Sequence, residues 1–405
     1  MKRPEIFLSY SWANKKIADK IYYDLTFVGI TVIKDDHTLK YTDKISDFMK
    51  KIRKTEFALL LICDNYLKSI NCMTEVMQLD KEDDIWKKLI PVVCNDAKIK
   101  DPLDRINYIN YWQEKSLAIE SALKNIDPIN STSLYQELKS YKEITQNIDS
   151  FLEKLKDKLF VSPEELFKNF YSPLIEHIRI YPDFSKMELL IPISLVKDPS
   201  LRLEKINAFM QKTKSENSYC YSIIASCYRD LKKTKLAIQF YKKAIALDNF
   251  NFTAWNNLGQ VYELNMHNYT IAKEAYENAI IAKPDLDIPR LNLGVLLSNH
   301  FKDLEGAKKQ YEEILMFDEN NPKAHHNLAN FYRSSEFLDL EKAEKHLIIA
   351  VNQNNLEATI TYANFLKVSK NDIIKGNSFY QRAKLLDTEN LYAEVIDYML
   401  KSTKG

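Results

Sequence analysis

The first 160 residues alternate between short solid apolar runs and longer amphipathic stretches, and from about residue 217 one apolar pattern repeats to the end of the chain. Glu5–Ser9 (EIFLS), Ile30–Ile33, Phe57–Ile62 (FALLLI) and Leu89–Val93 (LIPVV) are runs bounded by polar or turn residues. Such runs fit strands buried on both faces of a parallel sheet. Ile106–Trp112 (INYINYW) predicts a fifth, short strand. Between the runs, Asn14–Val28 places Ile17, Ala18, Ile21, Tyr22, Leu25 and Val28 on one helical stripe, with Asn14 as N-cap and Gly29 just past the end. Asp35–Tyr41 reads as a polar loop. Thr42 or Asp43 would cap a helix carrying Ile45, Phe48, Met49 and Ile52, and Leu134–Leu159 is a long helical pattern. Strands alternating with helices predict a doubly wound α/β sheet. In such sheets ligands bind beyond the carboxyl ends of the strands. Glu75, on the first turns of the helix that follows Phe57–Ile62, is therefore placed at a cleft. The plain alternative is a solvated helix-start carboxylate stabilised by the helix dipole.

Residues 161–216 are cut into short pieces by Pro163, Pro173, Pro182, Pro192 and Pro199. Glu164–Tyr171 and Leu203–Met210 read as helices. The 182–199 stretch reads as a non-helical crossing, too apolar (Leu189, Leu190, Ile191, Ile193, Leu195) for a free linker.

From Ser218 small residues recur at Ala225, Gly259, Gly294, Ala329 and Ala363, at spacings of 34, 35, 35 and 34. Tyr241, Tyr276, Tyr311, Leu347 and Tyr380 recur with them, as do Ala237, Ala272, Ala307, Ala343 and Gly376. Small residues let paired helices approach closely, and stacked pairs bury one continuous core. These positions are packing residues. Leu391–Lys401 reads as a final capping helix.

Composition removes several classes of function. The net charge is +1, with basic and acidic residues interleaved, which gives no argument for nucleic acid or an acidic membrane. No apolar stretch approaches the roughly 20 residues needed to span a bilayer, and MKRPEIFLSYSW does not read as a signal peptide, so a cytoplasmic protein is expected. The cysteines are Cys63, Cys72, Cys94, Cys220 and Cys227, an odd number without a CxxC pair, so neither a disulfide framework nor a zinc site is expected. Of six glycines only Gly29 precedes residue 259. A Walker loop or a GxGxxG turn needs several glycines between a strand and a helix, so neither is present.

The opening IFLSYSW, the loop VIKDDHTLK at Val32–Lys40 and DNYLKSINCMTEV at Asp64–Val76, in that order, resemble a bacterial Toll/interleukin-1 receptor (TIR) domain over about residues 4–160. The resemblance implies a flavodoxin-like fold with a five-stranded parallel sheet. Many bacterial members cleave NAD at the nicotinamide–ribose bond or make cyclic ADP-ribose products. Others only self-associate. The family's essential carboxylate falls on Glu75, within Ser69, Cys72 and Glu75, and its loop after the second strand falls on Asp35–Asp43. Two departures stand out: Asn71 occupies the place of a frequent Trp, and Thr42 precedes Asp43 where a Gly is usual. Ser9, Tyr10, Trp12, Asp35 and Asn71 are then the candidate contacts for NAD, which would be a substrate; no cofactor and no metal is expected. Lys34 and Lys40 are further candidates for its phosphates.

One carboxylate is chemically adequate for that reaction. Glycosidases use a second carboxyl group to protonate the leaving oxygen. Nicotinamide in NAD is already cationic and leaves as a neutral base. What remains is an oxocarbenium-like ribose, which a fixed anion stabilises.

The repeated segment resembles the tetratricopeptide repeat (TPR), whose period is about 34, in about five copies over residues 217–390. Domains are thus expected at 4–160 (TIR), 161–216 (a mostly helical connector), 217–390 (the repeats) and 391–405 (capping helix and tail). The face lined by the first helices should carry Asn256, Gln260, Glu263, His326, Asn330, Arg333, Asn364 and Lys367, a mixed polar set suited to a peptide or protein. His325 and His326 diverge by about 100° on a helix, which spoils chelation. Three functions follow as expectations: an NAD-cleaving TIR domain controlled or targeted by the repeats, in bacterial immune signalling; a non-catalytic scaffold that works by protein contacts and TIR self-association; or a secreted effector acting on a host's TIR signalling.

Overall fold

The computed structural model describes residues 5–34, 55–80, 85–124, 132–157, 161–179, 189–214 and 216–401. The chain divides into two compact units, Met1–Ile223 and Ile224–Gly405.

The first unit holds four strands, β1 (Glu5–Tyr10), β2 (Thr31–Lys34), β3 (Phe57–Ile62) and β4 (Leu89–Val93), in the order β2-β1-β3-β4. All pairings are parallel: Ile6 lies opposite Phe57, and Ala58 opposite Leu89. Every residue of β3 is buried, as a central strand covered on both faces requires. Pro91 sits in β4, where its missing N–H is tolerated at a sheet edge. Beyond β4, among the described residues, a single parallel bridge joins Val92 to Val161, with Val93 N–H donating to the Val161 carbonyl at 2.9 Å.

The expected fifth strand at Ile106–Trp112 is instead part of a helix, so the sheet has four strands among the described residues. The Asp101 side chain caps this helix by accepting from Leu103 N–H, and Pro102 occupies its first turn. Tyr108, Trp112 and Ser116 are buried at four-residue spacing, whereas Ile106 is 45% exposed. INYINYW satisfies both periods, and the Asp-Pro start decides for the helix.

The sheet is flanked by α1 (Lys15–Phe27), α2 (Asp64–Lys68), α3 (Ile70–Leu79), α4 (Ile85–Lys88), α5 (Pro102–Leu123) and α6 (Thr132–Asp157). Gly29 ends α1 with φ 87°, the left-handed conformation expected there. Asn14 precedes α1 but makes no side-chain cap; its Nδ2 donates to Cys94 Sγ at 3.2 Å. The helix expected over Ile45–Ile52 lies outside the described residues.

Residues 161–179 pack onto this unit. They form α7 (Pro163–Lys168), closed by a capping box of Ser162 and Glu165, and α8 (Ser172–Arg179). Tyr171 O–H donates to Asp24 at 2.6 Å, and His177 Nε2 donates to the Lys87 carbonyl at 3.0 Å. Two further helices follow, α9 (Leu190–Ser194) and α10 (Pro199–Thr213).

From Ser218 the chain is a series of helix pairs: α11 (Ser218–Asp230) with α12 (Thr234–Leu247), α13 (Phe252–Leu264) with α14 (Tyr269–Ala282), α15 (Asp287–Leu296) with α16 (Leu304–Phe317), α17 (Pro322–Tyr332) with α18 (Leu340–Asn352), and α19 (Leu356–Val368) with α20 (Ile373–Leu386). The last helix is α21 (Ala393–Lys401). The starts of seven of these helices are fixed by Asn251, Asn268, Asp303, Asn321, Asp339, Asn355 and Asp372, whose side chains accept from first-turn amides. Within a pair the small residue meets the ring of the second helix. A Cβ added to Gly259 would lie 2.7 Å from the Tyr276 ring, and one added to Gly294 would lie 2.5 Å from that of Tyr311. Among the described residues no helix is long and apolar enough to cross a membrane.

Candidate functional site

The strand order reverses between β1 and β3, so a crevice is expected beyond the carboxyl ends of those two strands. Their ends carry Ser9–Trp12 on one side and Cys63–Asp64 on the other. Ser9 is fully buried, its Oγ 2.9 Å from Tyr66 Oη, and Tyr10 is buried as well. Both candidates are thus buried at the strand end. Ser11 Oγ lies 3.2 Å from Cys63 Sγ. Trp12, in a short turn over Trp12–Asn14, is 38% exposed.

Cys63 Sγ accepts from Tyr66 N–H at 3.2 Å and so caps α2. Burial pushes the Cys63 thiol up, and it pushes Cys94 up to about 12. Both thiols therefore stay protonated, which removes them as nucleophiles. Helix α2 is then clamped by α5: Trp112 Nε1–H donates to the Leu67 carbonyl at 2.9 Å, Tyr108 O–H to Asp64 Oδ1 at 3.0 Å and Tyr111 O–H to the Lys68 carbonyl at 3.2 Å.

Ser69 starts α3 by accepting from Cys72 N–H. At the other end of α3, Asp80 accepts from Trp86 Nε1–H at 2.7 Å and from Lys154 Nζ at 2.8 Å. Helix α3 is thus capped at its start and anchored at its end. Glu75, on its second turn, is only 7% exposed. Asn71 lies one turn earlier on the same face and is exposed. An exposed carboxamide therefore stands one turn from the buried carboxylate. The solvated alternative for Glu75 does not hold: a carboxylate this buried loses its hydration, a cost that surface carboxylates avoid.

Asp35, Lys40 and the whole Asp35–Asp43 loop lie outside the described residues. Lys34 Nζ donates to Asp19 at 2.9 Å and stands over the Tyr22 ring, which ties it to α1.

In the helix pairs, Asn256 is buried and its Oδ1 accepts from Asn292 Nδ2 at 2.9 Å. Gln260 accepts from Arg229 at 3.5 Å, and Glu263 accepts from Tyr276 O–H at 2.6 Å. His326 Nε2 lies 2.9 Å from Thr361 Oγ1. Arg333 donates to Asn330 Oδ1 at 3.2 Å, and burial lowers its pKa. Asn364 is half-buried on α19. Lys367 departs from the expected ligand face: it is 2% exposed, and its ammonium donates to the Met399 carbonyl at 2.7 Å, tying α19 to α21. His325 Nε2 donates to the Glu319 carbonyl at 2.8 Å, so its Nδ1 accepts from His346 Nδ1 at 2.7 Å.

Glu263 and His326 line one cavity of about 310 Å³ and Asn330 lines a second of the same size. Asn292, Asn299 and Asn327, which the small-residue count did not select, line them too. The available signal was an asparagine two residues before the small residue in three successive copies, Asn257, Asn292 and Asn327.

Comparison with protein families matches residues 6–124 to the TIR domain, residues 226–265 to the TPR repeat and residues 252–286 to the tetratricopeptide repeat. Among solved structures the chain is similar to PilF of Pseudomonas aeruginosa, at 19% identity and TM-score 0.40, over 49% of this chain and 89% of that one. It is also similar to the C-terminal part of a TPR repeat-containing protein from Cytophaga hutchinsonii, at 16% identity and TM-score 0.39, over 59% and 98%. A third is YrrB, described as a TPR protein with an unusual peptide-binding site, at 19% and TM-score 0.35, over 48% and 99%. A comparison with curated protein sequences returned no match. The first unit thus carries the TIR class of α/β domain. The chain as a whole is a TIR domain followed by C-terminal tetratricopeptide repeats.

Proposed function

We propose that the TIR domain cleaves NAD at its nicotinamide–ribose bond with Glu75 as the catalytic anion, and that the repeats bind a protein that controls or targets this activity. A TIR domain joined to TPR repeats supports a signalling or protein-interaction role; the chemistry is the finer step. The observation that carries it is the 7% exposure of Glu75 on a helix whose far end is anchored through Asp80, in the segment that follows β3. A carboxylate in that setting interacts strongly with a cation, because little water screens it. As the nicotinamide departs, positive charge grows on the ribose ring, and a preorganised anion lowers that barrier without reorganising. Trp12 brings a partly exposed aromatic residue to the end of β1, and Asn71, one turn before Glu75, offers a donor and an acceptor. Bacterial immune signalling and self-association through the TIR domain belong to the same proposal.

The test is NAD consumption by the purified protein, followed as nicotinamide release, against Glu75→Gln, which keeps shape and removes charge. The proposal expects turnover in the parent protein and a loss of at least about 100-fold in the variant, the scale of removing one preorganised electrostatic group. No turnover in either points to the scaffold. That second reading is favoured by Asn71, which leaves that position without the aromatic residue the family often places there.

A further inference from the structure

The two cavities on the helix pairs are joined. Val295 and Asn327 line both, so they form one groove running from α13 to α19. Its charges are confined to one half. Glu263, Lys323 and Glu357 line the first cavity, and no charged side chain lines the second. His326, also in the first cavity, has its pKa lowered by burial, so it adds no charge near neutral pH. Two carboxylates therefore face one ammonium. Among the described residues neither Glu263 nor Glu357 is in an ion pair, and Glu263 has only a neutral partner, the Tyr276 hydroxyl.

The second cavity has a different chemistry. Asn299, Asn327 and Asn330 reach it beside Leu304, Tyr311 and Phe331. A carboxamide presents one acceptor and two donors. That set matches the alternating N–H and C=O groups of an extended main chain, and a neutral carboxamide is desolvated at less cost than an ion. The apolar floor takes an uncharged side chain.

Resting on the reading of the repeats as a protein-binding array, we infer that this groove takes an extended peptide segment with a cationic side chain placed between Glu263 and Glu357 and an uncharged stretch over Asn327 and Phe331. An acidic side chain in the first cavity would meet two carboxylates and only Lys323 in its favour. The asparagines hold the main chain without reading sequence, and the carboxylates set the preference.

The experiment uses the full chain and three pools of acetylated, amidated twelve-residue peptides. Each pool has Arg, Glu or Ala fixed at one central position and mixed residues elsewhere, and retention on immobilised protein is measured. The Arg pool should be retained about five-fold over the Glu pool, the scale of one partly exposed charge pair. In the double variant Glu263→Gln with Glu357→Gln the ratio should fall to about one or below, the scale of losing that pair while Lys323 remains, with the Ala pool unaffected. A preference of the parent protein for the Glu pool, or an Arg preference that survives the double substitution, overturns the inference while leaving peptide binding intact. Retention of none of the pools overturns both the inference and the protein-binding reading beneath it.

Discussion

Replacing Gly259 with alanine isolates the contact that lets the helices of one repeat approach. The new Cβ would lie 2.7 Å from Tyr276 Cε1, 2.8 Å from Cδ1 and 3.1 Å from Cζ. The ring cannot swing aside cheaply, because Tyr276 is fully buried and its hydroxyl is held by Glu263 at 2.6 Å. Overpacking of this kind costs about 1–3 kcal/mol. Against it stands the gain of about 0.5–1 kcal/mol for alanine over glycine inside a helix. The net expectation is a loss of about 1–2 kcal/mol, which lowers the melting temperature by about 2–8 °C in a unit of this size. Thermal unfolding followed by circular dichroism reads it. The companion Gly259→Ala with Tyr276→Leu removes the ring, so its loss of stability should be smaller than the sum of the two single losses. An unchanged or raised melting temperature in Gly259→Ala, with additive behaviour in the pair, would refute the packing argument.

The His325–His346 pair makes the repeats acid-sensitive. Burial, then the charge of His325, holds His346 down at about 4, below the ordinary value near 6.5 it regains on unfolding. The unfolded chain therefore binds more protons between these values, so stability is full above about pH 6.5 and falls as pH drops toward 4. Urea midpoints at pH 7 and 5 should separate more in the parent than in His346→Gln, and equal separations would contradict this. Trp112→Phe strands the Leu67 carbonyl and should cost about 1–3 kcal/mol in denaturant unfolding; an unchanged midpoint would show that α5 does not clamp α2. A chain ended at Phe160 loses Val161, Tyr171 and His177, and should unfold at lower urea than one ended at Lys214. The Lys214 version then tests control by the repeats, since NAD turnover equal to that of the full chain would reject it.

What could be read from the chain depended on how many structures each pattern allows. Phe57–Ile62 admits little but a central strand, and it is one. The 34–35 residue recurrence of small residues fixes the helix pairs, because a glycine under a tyrosine ring leaves no other spacing. INYINYW misled because periods of two and four share Tyr108 and Trp112. The position of Glu75 after β3 was legible, but its burial was not, since that depends on α6 and on the anchoring of Asp80 by Trp86 and Lys154. Lys367 looked like a groove residue from its helix position, and only the docking of α21 buries it. The place of Asn327 in the groove is not legible in the chain, because lining a cavity is a property of three helices at once.

The most direct test of the account compares nicotinamide release from NAD by the parent protein and by Glu75→Gln at matched folding, judged by circular dichroism. Turnover in the parent with a fall of at least about 100-fold in the variant is the predicted result. Equal turnover in the two proteins would contradict the assignment of Glu75.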